Sequence, residues 1–294
     1  MKQKIEYIAI TVLIGFFRTL PYRLSTQIGA FLGRLFCWLD RRHRLIAMDN
    51  LSRSFHGEKT DKDLARIVCG VYRNLGISLI EMACLPGMDL SRVKALTQVE
   101  GLEHYFSAQD QKKGVILLSA HFGNWEWLGM ALSLFGVRMH VVMRPIDNDY
   151  LNRMVQAWRS QHGNIVLNKR TETGEIIKIL RNGGTVGFLL DQNVGYKKAV
   201  FVDFFGRPAA TNKGLATIAL RTAAPVLPTF IIRTEKGHKV VFEKPLVLPR
   251  SGELKKDLVE TTALFTKKIE TYVHRYPDQW LWLHRRWKTR PPWE

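Results

Sequence analysis

The stretch His121-Phe122-Gly123-Asn124-Trp125-Glu126 brings an imidazole and a carboxylate close together in the chain, with a glycine between them. Asn124 has the chemistry of a helix N-cap, which places Glu126 in the first helical turn, where the helix dipole favours an anion. A bend at Gly123 lets that carboxylate fold back toward His121. The expected product is a His–carboxylate pair: the acid fixes the tautomer and steadies the imidazolium, and the other ring nitrogen is left to take a proton from a substrate hydroxyl. Metal catalysis is the weaker reading, because the box holds one good nitrogen ligand and the other histidines have no matching spacing. Ser119 shares a strand face with His121, but no G-x-S-x-G elbow surrounds it. Direct attack of an acceptor hydroxyl on an activated acyl group is therefore the simpler chemistry.

Such groups need a frame that brings them together. Residues 115–120 read as a buried strand, 125–135 as a helix, 138–143 as a strand, and 148–161 as a helix stopped by Gly163. A strand at 164–167, a helix at 173–181 stopped by Gly183, and a strand at 185–190 follow. This alternation predicts an α/β fold with a mainly parallel central sheet flanked by helices. Ligands of open parallel sheets bind outside the carboxyl ends of the strands. The residues at those ends are polar: His121, Arg144, Asn168 and the run Asp191-Gln192-Asn193. Residues 226–233 and 239–242 add two strands and 254–275 a helix. Upstream, Leu64, Ile67, Val68, Val71, Leu75, Leu79 and Ile80 mark one face of an amphipathic helix over 61–83, ended by Pro86 and Gly87.

The chain of 294 residues carries 44 Lys+Arg against 26 Asp+Glu, a formal net charge of +18. Its composition excludes a disordered chain and a polytopic membrane protein. Cys37, Cys69 and Cys84 have no CxxC spacing, so neither a disulfide framework nor a thiolate zinc site is implied, and a reducing compartment is the simplest setting. The positive excess suits an anionic partner. The amino end narrows the choice. Residues 5–17 are almost wholly apolar, and a second apolar stretch at 28–39 meets Arg41, Arg42 and Arg44. Residues 1–40 are expected to form a membrane-associated hairpin or single anchor whose arginines face anionic headgroups; residues 41–294 form the catalytic domain.

Five ordered motifs together resemble the bacterial lipid A late acyltransferases, the lauroyl/myristoyl transferase family: the H-x4-E box, MRPIDNDYLNRMVQAWR, LLDQN, VFVDFFGRPAAT and PDQWLWLHRRWK. The resemblance runs from about Arg41 to Lys288. It implies a bacterial inner-membrane enzyme, on the cytoplasmic face, that moves a fatty acyl chain from acyl carrier protein to a hydroxyl of a lipid A precursor in lipopolysaccharide biosynthesis. It makes His121 the general base and Glu126 its partner, places Arg159 near the site, and has Asn124, Asp191 and Gln192 shape the pocket by hydrogen bonds, with Arg144 at the same edge. No cofactor beyond the acyl donor is required, and no metal. Where several relatives have Asp, this chain has Asn193.

The tail interleaves Trp280, Trp282 and Trp287 with Arg285 and Arg286. That combination suits the headgroup layer and phosphorylated sugars, and Arg285 and Arg286 are expected to bind them. Stacking on single-stranded nucleic acid is the rival from another class, disfavoured by the apolar amino end and the missing RNP, KH and helix-turn-helix signatures. Within the acyltransferases the alternatives are another glycolipid or glycerolipid acceptor and an acyl-CoA donor.

Overall fold

A computed structural model describes residues 1–143, 145–168 and 173–293. Four helices come first: α1 (Lys2–Thr19), α2 (Tyr22–Leu39), α3 (Arg41–Ser54) and α4 (Asp61–Cys84). Pro21 and Asp40 interrupt the run, and Thr60 caps α4 by accepting from the Asp63 N–H. Helix α4 is long and apolar enough to cross a membrane by length and composition. Here it is a core element, because α2 lies along it at backbone contact: a Cβ on Gly33 would sit 2.2 Å from the Tyr72 carbonyl oxygen, and one on Gly76 2.2 Å from that of Gly29.

After α5 (Leu90–Ala95), β1 (Thr97–Glu100) and α6 (Leu102–Gln109), the chain enters the alternating region. This comprises β2 (Val115–Ser119), α7 (Trp125–Leu134), β3 (His140–Met143), α8 (Asp149–Arg159), β4 (Ile165–Asn168), α9 (Thr173–Arg181) and β5 (Thr185–Leu189). A two-stranded hairpin, β6 (Ala199–Phe204) and β7 (Arg207–Asn212), leads to α10 (Gly214–Thr222), β8 (Val226–Thr234), β9 (Gly237–Phe242) and α11 (Leu254–Arg275). The main sheet has the order β1-β9-β8-β2-β5-β3-β4. All its pairings are parallel except β8 with β9. The α/β class and mainly parallel sheet are as the sequence implies.

The pleat of β2 explains why it reads as a continuous apolar run. Ile116 and Leu118 enter one core, with α9, α10 and α11, while Val115 and Leu117 enter the other, with α7. Both faces are covered, so the strand ends are fixed points from which a site can be built. The opposite situation holds at the amino end. On α1, Ile5, Val12 and Phe16 are exposed, and on α2 so are Phe31, Leu35 and Trp38. The inner side of α1 meets α8: Asn148 Nδ2 donates to the Gln3 carbonyl at 2.9 Å and to Glu6 Oε2 at 3.0 Å.

Candidate active site

β2 and β5 are parallel neighbours in register, Ser119 opposite Leu189, so the chain leaves both at the same edge. His121 and Asp191 are placed there. His121 Nδ1 lies 2.9 Å from Asp191 Oδ1. The other carboxylate oxygen, Oδ2, accepts from the His121 backbone N–H at 3.1 Å and from Trp280 Nε1 at 2.8 Å. Burial works against ionisation of Asp191, but the imidazole and these donors outweigh it and hold the carboxyl below its usual range. Burial likewise opposes the imidazolium of His121, yet Asp191, helped by the charge of Glu126, raises its pKa above the ordinary value. The amide of Gln192 stands 3.4 Å from the other ring nitrogen, Nε2. Trp125 packs edge-on against the ring, with centroids 5.1 Å apart.

The carboxylate hydrogen-bonded to the imidazole is thus Asp191, which corrects the pairing expected within the box. Glu126 does occupy the first turn of α7, but its partner is Arg159, at the end of α8. Arg159 Nε donates to Glu126 Oε2 at 2.8 Å and Nη2 donates to Oε1, giving a two-pronged clamp, and Trp125 Nε1 donates to Oε1 at 3.1 Å. Glu126 therefore acts on His121 through space, as a charge, and fixes Trp125 beside it.

Asn124 caps α7 by accepting from the Trp127 N–H at 3.0 Å. Its Nδ2 donates to Glu81 at 2.7 Å, and the residue is buried, so its amide supports the loop from behind and does not face a pocket. Glu81, on α4, is fully buried and was not found by sequence reasoning. It accepts from Tyr22 of α2 at 2.7 Å, from both Arg233 Nη atoms at 2.7 Å, and pairs with His238 Nε2 at 3.2 Å. Burial opposes its ionisation, but His238 and Arg233 together hold its carboxyl far below the usual range. Gly123 completes the bend. Its φ is +57°, and a Cβ there would lie 2.1 Å from the Ile231 carbonyl oxygen.

The remaining predicted positions separate. Arg144 lies outside the described residues. Arg285 is exposed. Arg286 is fully buried, its Nη1 donating to the Ala210 carbonyl at 2.8 Å and its Nη2 to Thr211, and burial lowers its pKa to about 10. It cannot meet a headgroup from there, which corrects the expectation for that arginine. Trp280 and Trp282 are likewise core residues, 1% and 0% exposed, and present no face to lipid or bases. Among the described residues no group of three or more His, Cys, Asp or Glu is placed to hold a metal ion.

An imidazole whose Nδ1 faces a buried carboxylate and whose Nε2 faces the open edge is set up to take a proton from a hydroxyl. Residues 2–289 match the family described as bacterial lipid A biosynthesis acyltransferase. The chain is 30% identical to the lipid A biosynthesis lauroyltransferase of Escherichia coli (strain K12), covering 92% of this chain and 88% of the relative. It is 29% identical to the palmitoleoyltransferase of the same organism, over 92% and 87%, and 24% identical to the myristoyltransferase, over 93% and 84%. Match over nearly the whole length leads to one conclusion: the chain belongs to the bacterial lipid A biosynthesis acyltransferase family and is an acyltransferase.

Proposed function

We propose that the protein transfers a fatty acyl chain from acyl carrier protein to a hydroxyl of a lipid A precursor at the cytoplasmic face of the bacterial inner membrane. The observation that carries the reading is the His121–Asp191 pair at the ends of β2 and β5, with Nε2 turned to the open edge. Nε2 removes the acceptor proton as the oxygen attacks the thioester carbonyl. Asp191 holds the proton on Nδ1 and stabilises the imidazolium that forms. The charge of Glu126, clamped by Arg159, adds to that stabilisation, and the amide of Gln192 stands where it can donate to the developing oxyanion. The collapse of the tetrahedral intermediate expels the carrier thiolate, which takes the proton back from His121.

Membrane attachment is supported by the exposed apolar side chains of α1 and α2. In this reading residues 1–40 lie in the interface and residues 41–294 form the acyltransferase domain. The net charge of +18 suits an acidic carrier protein and anionic lipids.

The test supplies the purified full chain in detergent with a lipid A precursor and either an acyl carrier protein thioester or the matching acyl-CoA, and weighs the products. The expected product is heavier by one acyl chain, with the carrier thioester preferred and its KM rising with salt far more than kcat changes. Equal use of both donors without a salt effect would replace the carrier protein with acyl-CoA. An unaltered acceptor with both donors would refute the acceptor assignment.

A further inference from the structure

A groove of about 480 Å³ opens between α3 and the C-terminal segment. Its walls carry Arg42, Arg53, Arg207, Arg285, Lys288 and Arg290 and a single carboxylate, Asp49, a net excess of five positive charges. Asp49 is already paired with Arg53 at 2.7 Å. Among the described residues Arg42, Arg285, Lys288 and Arg290 have no ion-pair partner, and all four are exposed. Leu45 and Trp287 line the same groove, and Trp287 Nε1 is a buried donor with no acceptor among the described residues. The groove therefore offers several charged donors and apolar wall, with one carboxylate among its lining residues.

Shape and place select the ligand. A concavity of this volume is in the range of small-molecule sites, whereas a stable protein partner needs a broad face of about 800 Å² on each side. α3 starts just past the end of α2, whose Phe31, Leu35, Trp38 and Leu39 are exposed. The groove thus begins where a row of exposed apolar side chains gives way to guanidinium groups. If that row lies among acyl chains, the groove stands at the depth of lipid phosphates. Guanidinium forks match phosphate oxygens in pairs, and Leu45, itself exposed, is positioned for the apolar part of the same lipid.

We infer that this groove is a binding site for the phosphate-bearing headgroup of an anionic membrane lipid. Two hydrogen bonds connect it to the catalytic edge. Asn193 Nδ2 donates to Thr289 Oγ1 at 3.0 Å and Tyr196 Oη donates to the Arg290 carbonyl at 2.7 Å, so the groove wall is tied to the loop that follows Asp191. A lipid held there fixes how the open edge meets the membrane surface. The inference concerns binding, and stands whatever the acyl donor and acceptor prove to be.

The test measures partition of the full chain onto phosphatidylcholine vesicles with and without phosphatidylglycerol. The variant Arg42→Gln/Arg285→Gln/Lys288→Gln is compared with Lys62→Gln/Lys113→Gln/Lys255→Gln, which removes the same charge from exposed positions elsewhere. Each cation at a membrane surface is worth roughly fivefold in affinity, so the groove variant should lose on the order of 100-fold of the phosphatidylglycerol-dependent binding. Binding to phosphatidylcholine alone should be unchanged, which also reports that the variant is folded, and the control should lose only a few-fold. Equal losses in both variants would show a diffuse charge effect and overturn the site. Inorganic phosphate binding to the solubilised chain as tightly as the phosphatidylglycerol vesicles do, by calorimetry, would overturn the lipid assignment in favour of a soluble phosphate compound.

Discussion

Replacing Asp191 with Asn should disable the enzyme while leaving its shape intact. The reason lies in the two donors at Oδ2, the His121 N–H at 3.1 Å and Trp280 Nε1 at 2.8 Å. Both arrive from fixed elements and Asp191 is buried. An amide can satisfy them only by turning its oxygen toward them, which aims its NH2 at His121 Nδ1. The opposite orientation sets NH2 against two buried N–H groups, each costing about 1–3 kcal/mol unsatisfied. Even the low end, about 2 kcal/mol in all, favours the first orientation roughly thirtyfold. Nδ1 must then accept, the ring proton moves to Nε2, and the atom facing the acceptor hydroxyl is no longer a base. A wrong tautomer in intact geometry lowers kcat by about 10⁴ in hydrolases of unrelated fold, and at least about 10³ is expected here. The assay is steady-state acyl transfer by purified Asp191→Asn, with thermal unfolding and near-UV circular dichroism to show that the fold persists. A folded variant within tenfold of the parent would refute the reasoning and return the orienting role to Glu126.

Because Asp191 raises the His121 pKa and the base must be neutral, kcat/KM should fall as pH drops through a midpoint above about 6.5; in Asp191→Asn any residual activity should have that midpoint at lower pH, read from pH–rate profiles. Glu126→Gln and Arg159→Ala break one clamp, so the double variant should be no slower than the worse single variant, whereas additive losses in the cycle would show independent roles. Glu81→Ala leaves the Arg233 guanidinium without its buried carboxylate partner and removes the hydrogen-bond partner of His238, and should cost about 3–5 kcal/mol in denaturant unfolding. Since the Glu81 carboxyl is held low in the folded state, its contribution is present above the unfolded carboxylate range of about 4.3 and is lost only as pH falls toward the folded value. Phe31→Ser/Leu35→Ser/Trp38→Ser removes largely exposed apolar area, so it should weaken vesicle binding far more than it lowers the unfolding temperature; retained binding would place the attachment elsewhere.

The region from β2 to β5 is legible in the sequence because β2 is buried on both faces, the later strands are short apolar runs, and its helices are closed by Gly163 and Gly183, so local pattern and final environment agree. β1 was missed since Thr97-Gln98-Val99-Glu100 is a short edge strand with little apolar character. The hairpin β6–β7 carries a weak strand signal in sequence, because its turn uses Phe205 and Gly206, both with positive φ, in place of the usual Asn-Gly. In the site, sequence order brings Asp191 to the same edge as His121, but only the sheet order, which makes β5 the neighbour of β2, decides that it reaches the imidazole before Glu126 does. The signal for Glu81 is a polar stripe: Asn74, Ser78 and Glu81 fall at helical spacing inside an otherwise apolar helix, and all three are buried. The tail misled because alternating Trp and Arg has the same composition on a surface and in a core. Trp280 and Trp282 support Asp191 and the hairpin, and only the packing distinguishes the two cases.

The claim on which the rest depends is that Asp191 keeps the proton on His121 Nδ1 and leaves Nε2 bare. It is tested most directly by ¹⁵N NMR of the histidine-labelled full chain across a pH titration, with His121→Gln used to assign the His121 signals. The account predicts a protonated Nδ1 and an unprotonated Nε2 above a pKa that lies above about 6.5, with the proton moved to Nε2 in Asp191→Asn. A neutral His121 that already carries its proton on Nε2, or a tautomer unchanged by Asp191→Asn, would contradict it.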